Sequence, residues 1–402
     1  MSTLTAPDLA AIRRWRTSVL VVFGLAGVGV ASWLSRLPSV RDGLEATTLA
    51  MGVLALGISI GSVAGFAVAS RIAVRYSPRA VIRASLGVAM GGLLLAGVSG
   101  GVLPDYPLAM AGLILLGLGN GTCNVTMNVE GAAIERALRR PVMPWFHALY
   151  SIGAAVGASI GALAAALGIS PSVQIPVVVA AMAVTTVFAT RHLGTEPHAR
   201  PGGHPASPAR RRSPWFEGGT LLIGLVVVGM SFANGAANDW IALAMVDGHG
   251  SGPGVAALAV DVFTIAVVVT RLTGVLLLSR LGRVRTVQLT AAVAIAGLLL
   301  FILVPNPVVA FVGAALWGLG VSLGFPIGMS AAGDEAQGAT GRIAVVAAIG
   351  YAGSLVGPPL IGFVAGGVGI RTALLIAVVL VVAAGAVAPV LSRSRRDAPT
   401  TP

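Results

Sequence analysis

Asn120, Asn124 and Asn128 recur at every fourth position in NGTCNVTMNVEGAAIERALRRPVMPWFHALYSIGAAVG (120–157), a stretch that is apolar between them. On a helix this spacing stacks three amides along one slowly drifting face. Each amide offers an acceptor and two donors, so its chemistry is hydrogen bonding to hydroxyl or carbonyl groups. In a hydrocarbon layer such groups are costly unless they face protein, water or a ligand. The stripe reads either as a ligand contact, through Asn120 and Asn124, or as interhelical bonding worth about 1 kcal/mol per bond. Asn128, with Glu130 and Glu135, lies nearer the loop that carries Arg139 and Arg140, where gating pairs with those arginines are expected. His147 opens the next apolar span and reads as a gate, a packing residue or a proton relay.

A second group lies in the C-terminal half. Asn234, Asn238 and Asp239 share one span, and Asp261 and Arg271 share the next. Asp239 reads as a titrating group or as a helix-end acid beside Trp240 at the membrane interface. Asp261 is next in line for coupling, with a helix-start carboxylate as its alternative. Arg36 reads as a partner for an anionic substrate or for Asp239, or as a side chain snorkelling to the interface. Arg271 either binds a carboxylate in a cavity or ties loops together. Trp317 and Phe325 read as stacking partners for a substrate or as core.

The elements that position these residues follow from composition. The 402 residues are 56% hydrophobic and only 10% charged, with a mean hydropathy of +0.92, which excludes a soluble globular protein. All 26 basic residues are arginine, against 14 acids. Without lysine there is no Walker A motif, and without a separate basic domain nucleic acid is not an expected partner. The single cysteine, Cys123, excludes an internal disulfide. The first apolar run is of spanning length, which argues against a cleaved signal peptide. No catalytic motif, metal-ligand spacing or cofactor motif is found: His192, His198 and His204 lack the supporting ligands of a metal tract, and no filter-like repeated loop of a channel occurs. The chain is not expected to be an enzyme.

A hydrocarbon core of roughly 30 Å requires about 20 apolar residues per helix. That predicts spans at 17–37, 48–70, 84–103, 107–129, 145–168, 175–190, 218–244, 255–278, 287–304, 308–330, 344–365 and 372–391, which is twelve. With both termini cytoplasmic, 22 of the 26 arginines fall on the cytoplasmic side, as the positive-inside rule requires. The Pro-, Gly- and Arg-rich stretch 191–217 reads as a cytoplasmic linker, with helical halves at 1–190 and 218–402. LPDYPLAMAGLILLGLG (103–119) lies over VPNPVVAFVGAALWGLG (304–320) at an offset of 201, matching Gly112 with Gly313, Gly117 with Gly318 and Gly119 with Gly320. Two parallel six-helix repeats are therefore expected. Spans three, six, nine and twelve contain no Asn, Gln, Asp, Glu, His or Arg in their cores, so they are expected to face lipid, with Ala294 among the tolerant positions.

Topology, duplication and linker resemble the major facilitator superfamily, an all-α membrane fold of twelve transmembrane helices in two six-helix pseudo-repeats. More locally the chain is similar to a bacterial branch near the fucose-permease-like facilitators. That likeness rests on Arg36-Leu37-Pro38, Arg41-Asp42, Gly117 to Gly121, Met127-Asn128, Glu135, Arg140, Met143-Pro144, Phe146-His147, Ser151 to Gly153, Asp239-Trp240 and Gly357-Pro358-Pro359. The resemblance implies a secondary active transporter of a small solute, working by alternating access in the bacterial cytoplasmic membrane as a multi-pass monomer, with proton coupling left open. Three family carboxylates are absent: Asn234, Asn124 and Val275 stand where relatives carry acids, and the loop after the second span, Ala73 to Arg79, lacks the usual acid. Alternatives are efflux of drugs or metabolites by the same fold, or a receptor or structural membrane protein.

Overall fold

The computed structural model describes residues 6–46, 48–73, 75–99, 102–194 and 213–392, and every regular element among them is helical. The chain divides into two compact units, Met1–Ser207 and Pro208–Pro402. Residues 195–212, with His198 and His204 of the expected linker, lie outside the described residues.

The first unit comprises α1 (Ala6–Leu34), the short α2 (Leu37–Gly43), α3 (Thr48–Ile72), α4 (Pro78–Ser99), α5 (Tyr106–Leu138), α6 (Met143–Ala166) and α7 (Pro171–Ala189). Within it α1 packs on α6, α3 on α5, and α4 on α5 and α7. Glycine sets these crossings. A Cβ added at Gly153 would land on the Gly24 carbonyl, and one at Gly117 on the Ile58 carbonyl. Only residues without side chains let backbones meet this closely, and without a hydrophobic drive between helices in lipid, such packing supplies the attraction.

The second unit comprises α8 (Gly218–Leu243), α9 (Pro253–Leu303), α10 (Pro307–Val321), α11 (Gly324–Ala332), α12 (Ala339–Val368), α13 (Ile370–Ala373) and α14 (Leu375–Val387). The 51 residues of α9 would be about 75 Å long if straight, more than twice the hydrocarbon thickness. The chain breaks at Gly282, whose φ of 72° and ψ of 174° are non-helical, a conformation open to glycine alone. Its two arms then flank α10: a Cβ on Gly318 would meet Phe263 of the first arm, and one on Gly320 would meet Ala294 of the second. With α9 counted as two arms and α10–α11 and α13–α14 each as one crossing, six helices cross in each unit.

The matched glycines of the two halves do matched work. Gly117 and Gly318 seat the second crossing of their unit, Ile58 and Phe263 respectively. Gly119 and Gly320 seat the third, at Ala89 and Ala294. The same offset joins two helix caps. The Asp105 carboxylate accepts from Leu108 N at 2.7 Å, and Asn306 Oδ1 accepts from Val308 N at 2.9 Å.

Several sequence expectations need correction. α1 begins at Ala6 rather than near 17, and α5 runs to Leu138 rather than 129. At 33 residues α5 is about 50 Å long, so its end stands clear of a hydrocarbon core. By contrast, the interruption of the tenth span between Val321 and Gly324 agrees with the break that Phe325-Pro326 leads one to expect. Ala294, expected to face lipid, is fully buried against Gly320. An apolar helix still needs one face for its neighbours, and composition does not tell which.

Candidate polar pathway

Two members of the asparagine stripe, Asn124 and Asn128, take part in a buried polar network in the first unit. Asn128 Nδ2 donates to the Asn124 carbonyl at 2.8 Å and to Asn124 Oδ1 at 3.3 Å. Asn128 Oδ1 lies 3.2 Å from His147 Nε2; an amide oxygen only accepts, so the proton belongs on Nε2. The His147 ring meets Phe23 edge-on at 5.1 Å, and Phe23 stacks on Phe146 at 5.4 Å. Ser151 Oγ donates to the His147 carbonyl at 3.2 Å. Asn124, Asn128 and His147 are all buried. Thus α1, α5 and α6 together enclose donors and acceptors that hydrocarbon alone would not tolerate.

Asn120, one turn further along α5, does not join this network. It borders a void of about 10 Å³ among Ala26, Gly29, Met90 and Met182, room for about one water molecule. Towards the other end of α5, Trp15 Nε1 donates to Glu130 Oε2 at 2.7 Å, tying the α1 extension to α5.

Glu135 and Arg140 do not form the expected gating pair. Glu135 Oε1 accepts from Val142 N at 2.7 Å and Met143 N at 2.8 Å, capping the start of α6, whose first amides have no helical acceptor. Arg140 is exposed and makes no ion pair among the described residues. Arg139 ends α5 in the left-handed conformation, with φ 51°.

Arg36 is buried, with 2% exposure, and binds main chain rather than an open cavity. Its Nη1 donates to the Gly161 carbonyl at 3.1 Å and its Nη2 to that of Ile169 at 2.5 Å, so it clasps the end of α6. It neither snorkels nor presents a free fork to a ligand.

In the second unit the candidates lie on two faces. Asn234 is half-buried, and Asn238 and Asp239 are exposed on α8, with Asn238 Nδ2 donating to the Asn234 carbonyl at 3.0 Å. Asp261 is exposed on the first arm of α9. Carboxylates at these depths require water or protein opposite them. Trp317 takes the core reading of the two: it is wholly buried between Phe263 and Phe301, at 5.8 and 5.9 Å. Phe325 is half-buried and meets Tyr351 edge-on at 6.1 Å. Arg271 donates from Nε to the Ser322 carbonyl at 3.3 Å, in the interruption between α10 and α11.

Other polar contacts escaped sequence reasoning. Arg283 forms a fork on Asp334 at 2.6 and 2.9 Å and also donates to Ser330 Oγ at 2.6 Å, fastening the turn of α9 to the end of α11. Arg371 donates to the Ile302 and Gly248 carbonyls. Beside it His249 Nε2 donates to the Phe301 carbonyl at 2.9 Å; burial and then the Arg371 charge hold this imidazole below its ordinary pKa, hence neutral. Among the described residues no three His, Cys, Asp or Glu side chains stand close enough to hold a metal ion.

Comparison with known proteins fits this architecture. The chain is 29% identical over 355 residues to an uncharacterised MFS-type transporter of Yersinia pestis, covering 87% of this chain and 88% of that one. It is 25% identical over 375 residues to the membrane protein MosC of Rhizobium meliloti, covering 92% and 89%. Among solved structures it superposes on FucP in the outward conformation with a TM-score of 0.77 at 16% identity, covering 94% and 98%. The human organic anion transporter MFSD10 superposes with a TM-score of 0.76 at 14% identity, covering 94% and 99%. The match to the Major Facilitator Superfamily itself spans residues 19–342 and 233–402. With twelve crossings in two duplicated units and a polar network buried in apolar helices, this multi-pass membrane protein belongs to the major facilitator superfamily of transporters.

Proposed function

We propose that this protein is a secondary transporter that carries a small, uncharged polar solute across the bacterial cytoplasmic membrane by alternating access. Both termini face the cytoplasm in this reading, and no cofactor takes part. The observation that carries it is the buried network of Asn124, Asn128 and His147. Amides offer both donors and acceptors without fixed charge, which suits hydroxyl and carbonyl groups better than a carboxylate or an ammonium. Asn120, Asn234 and Asn238 extend the same chemistry, and Phe325 offers an aromatic face. Asp239 and Asp261 are the acids placed to carry a proton, should the transporter be coupled. The fold shared with a fucose:proton symporter of E. coli, at a TM-score of 0.75 and 16% identity, supports the mechanism and not the choice of sugar.

The test is counterflow in proteoliposomes with L-fucose, other neutral sugars, organic acids and cationic dyes as separate probes. At least one neutral polyol or sugar is expected to exchange. Asn124→Leu should reduce that exchange at least tenfold at equal reconstitution. Exchange of cationic dyes alone would instead establish the efflux reading.

A further inference from the structure

The interruption in the tenth crossing has a specific chemical cause. In an unbroken helix the Ser322 carbonyl would accept the N–H of residue 326. That residue is Pro326, which has no N–H to give. The orphaned carbonyl lies in a buried stretch: Ser322 and Leu323 are 1% and 0% exposed. Burial this complete keeps bulk water away, so a donor has to come from protein. Arg271, on the first arm of α9, supplies one, its Nε–H reaching the Ser322 carbonyl at 3.3 Å.

The same face of α9 is shaped for the break. Gly274 lies three residues from Arg271 and so on the same side of the helix. A Cβ there would press into the Leu323 side chain, at 2.6 Å from Cδ2. Beyond the break, Gly350 of α12 leaves room for the Phe325 ring, which a Cβ would meet at 3.1 Å. Phe325 is thereby held against Tyr351. The bend, its donor and its seat come from three different elements.

We infer that Arg271 is a positioning residue: it replaces the hydrogen bond that Pro326 withholds, holds the bend of α10–α11 at one angle, and so sets Phe325 on Tyr351. Its purpose rests on the transport reading above, but its test does not. Hydrogen exchange is measured on the purified full-length chain, following peptides that cover 322–332, for wild type, R271Q, P326A and the double variant. In R271Q exchange in this segment should rise at least tenfold while peptides of α8 stay unchanged. P326A restores the helical N–H to Ser322, so adding R271Q to it should change exchange less than twofold. An equal rise in both backgrounds, or none in R271Q, would overturn the inference. If R271Q does not fold, yield becomes the readout: rescue by P326A supports the inference, and failure of both proteins overturns it. Exchange is read without any solute, so a negative counterflow result leaves this outcome untouched.

Discussion

Several buried or half-buried arginines among the described residues bind main chain rather than a carboxylate. With 26 arginines and 14 acids, many guanidinium groups have no acid of their own. Helix C-termini offer a substitute, since their last carbonyls lack helical donors and carry partial negative charge. Arg36 clasps Gly161 and Ile169, Arg79 the Leu193 carbonyl, Arg342 those of Ala332 and Gln337, and Arg371 that of Ile302. The acids are correspondingly few, and this sharpens the role of Asp239. Only a group whose protonation differs between two conformations can couple a proton gradient to transport. Asp239→Asn retains size and hydrogen bonding but cannot release a proton. It should preserve solute exchange in counterflow and abolish accumulation driven by a pH gradient, at least tenfold. If accumulation survives this change and survives Asp261→Asn with it, neither acid is the carrier.

At the scale of elements, helix pairs in this chain meet at glycine, and the repeat makes the contact twice. Gly117 on α5 and Gly318 on α10 each face a carbonyl of the second crossing of their unit. Alanine at either should force the pair apart and cost about 1–3 kcal/mol, the usual range for overpacking. Gly87 and Gly91 of α4 have nothing within 4 Å of an added Cβ. Alanine there should be neutral or stabilise by up to about 1 kcal/mol through helix propensity. Thermal unfolding in detergent of the four variants checks the contrast. Equal melting temperatures across the set would show that the glycines do not set the crossings.

At the scale of the whole molecule, the proposed orientation has both ends of the chain in the cytoplasm, which an even number of crossings permits and the side bias of arginine favours. Cysteines introduced at Ser77, between α3 and α4, and at Gly250, between α8 and α9, separate the sides. In intact cells an impermeant thiol reagent should label the cysteine at Gly250 and spare the one at Ser77. The native Cys123 is buried and should give no background. Reversed labelling would invert the orientation of the whole chain.

The chain by itself determined the class of molecule, because spanning a hydrocarbon layer constrains length and polarity residue by residue. Twelve apolar runs, a side bias of arginine and a 201-residue glycine register are all one-dimensional signals, and the register survives because only glycine fits where two backbones touch. The stripe of Asn120, Asn124 and Asn128 was legible for the same reason, as polar residues where lipid forbids them. Tertiary structure decided what each polar group holds. Arg36 and Arg271 bind carbonyls, which every residue carries, so no complementary residue type marks the partner in the sequence. Glu135 binds the amides of Val142 and Met143, equally anonymous, whereas the sequence suggested Arg139 or Arg140. Ala294 was misplaced because a helix's apolar residues are alike in type, and only the packed neighbours separate the face that meets protein from the face that meets lipid.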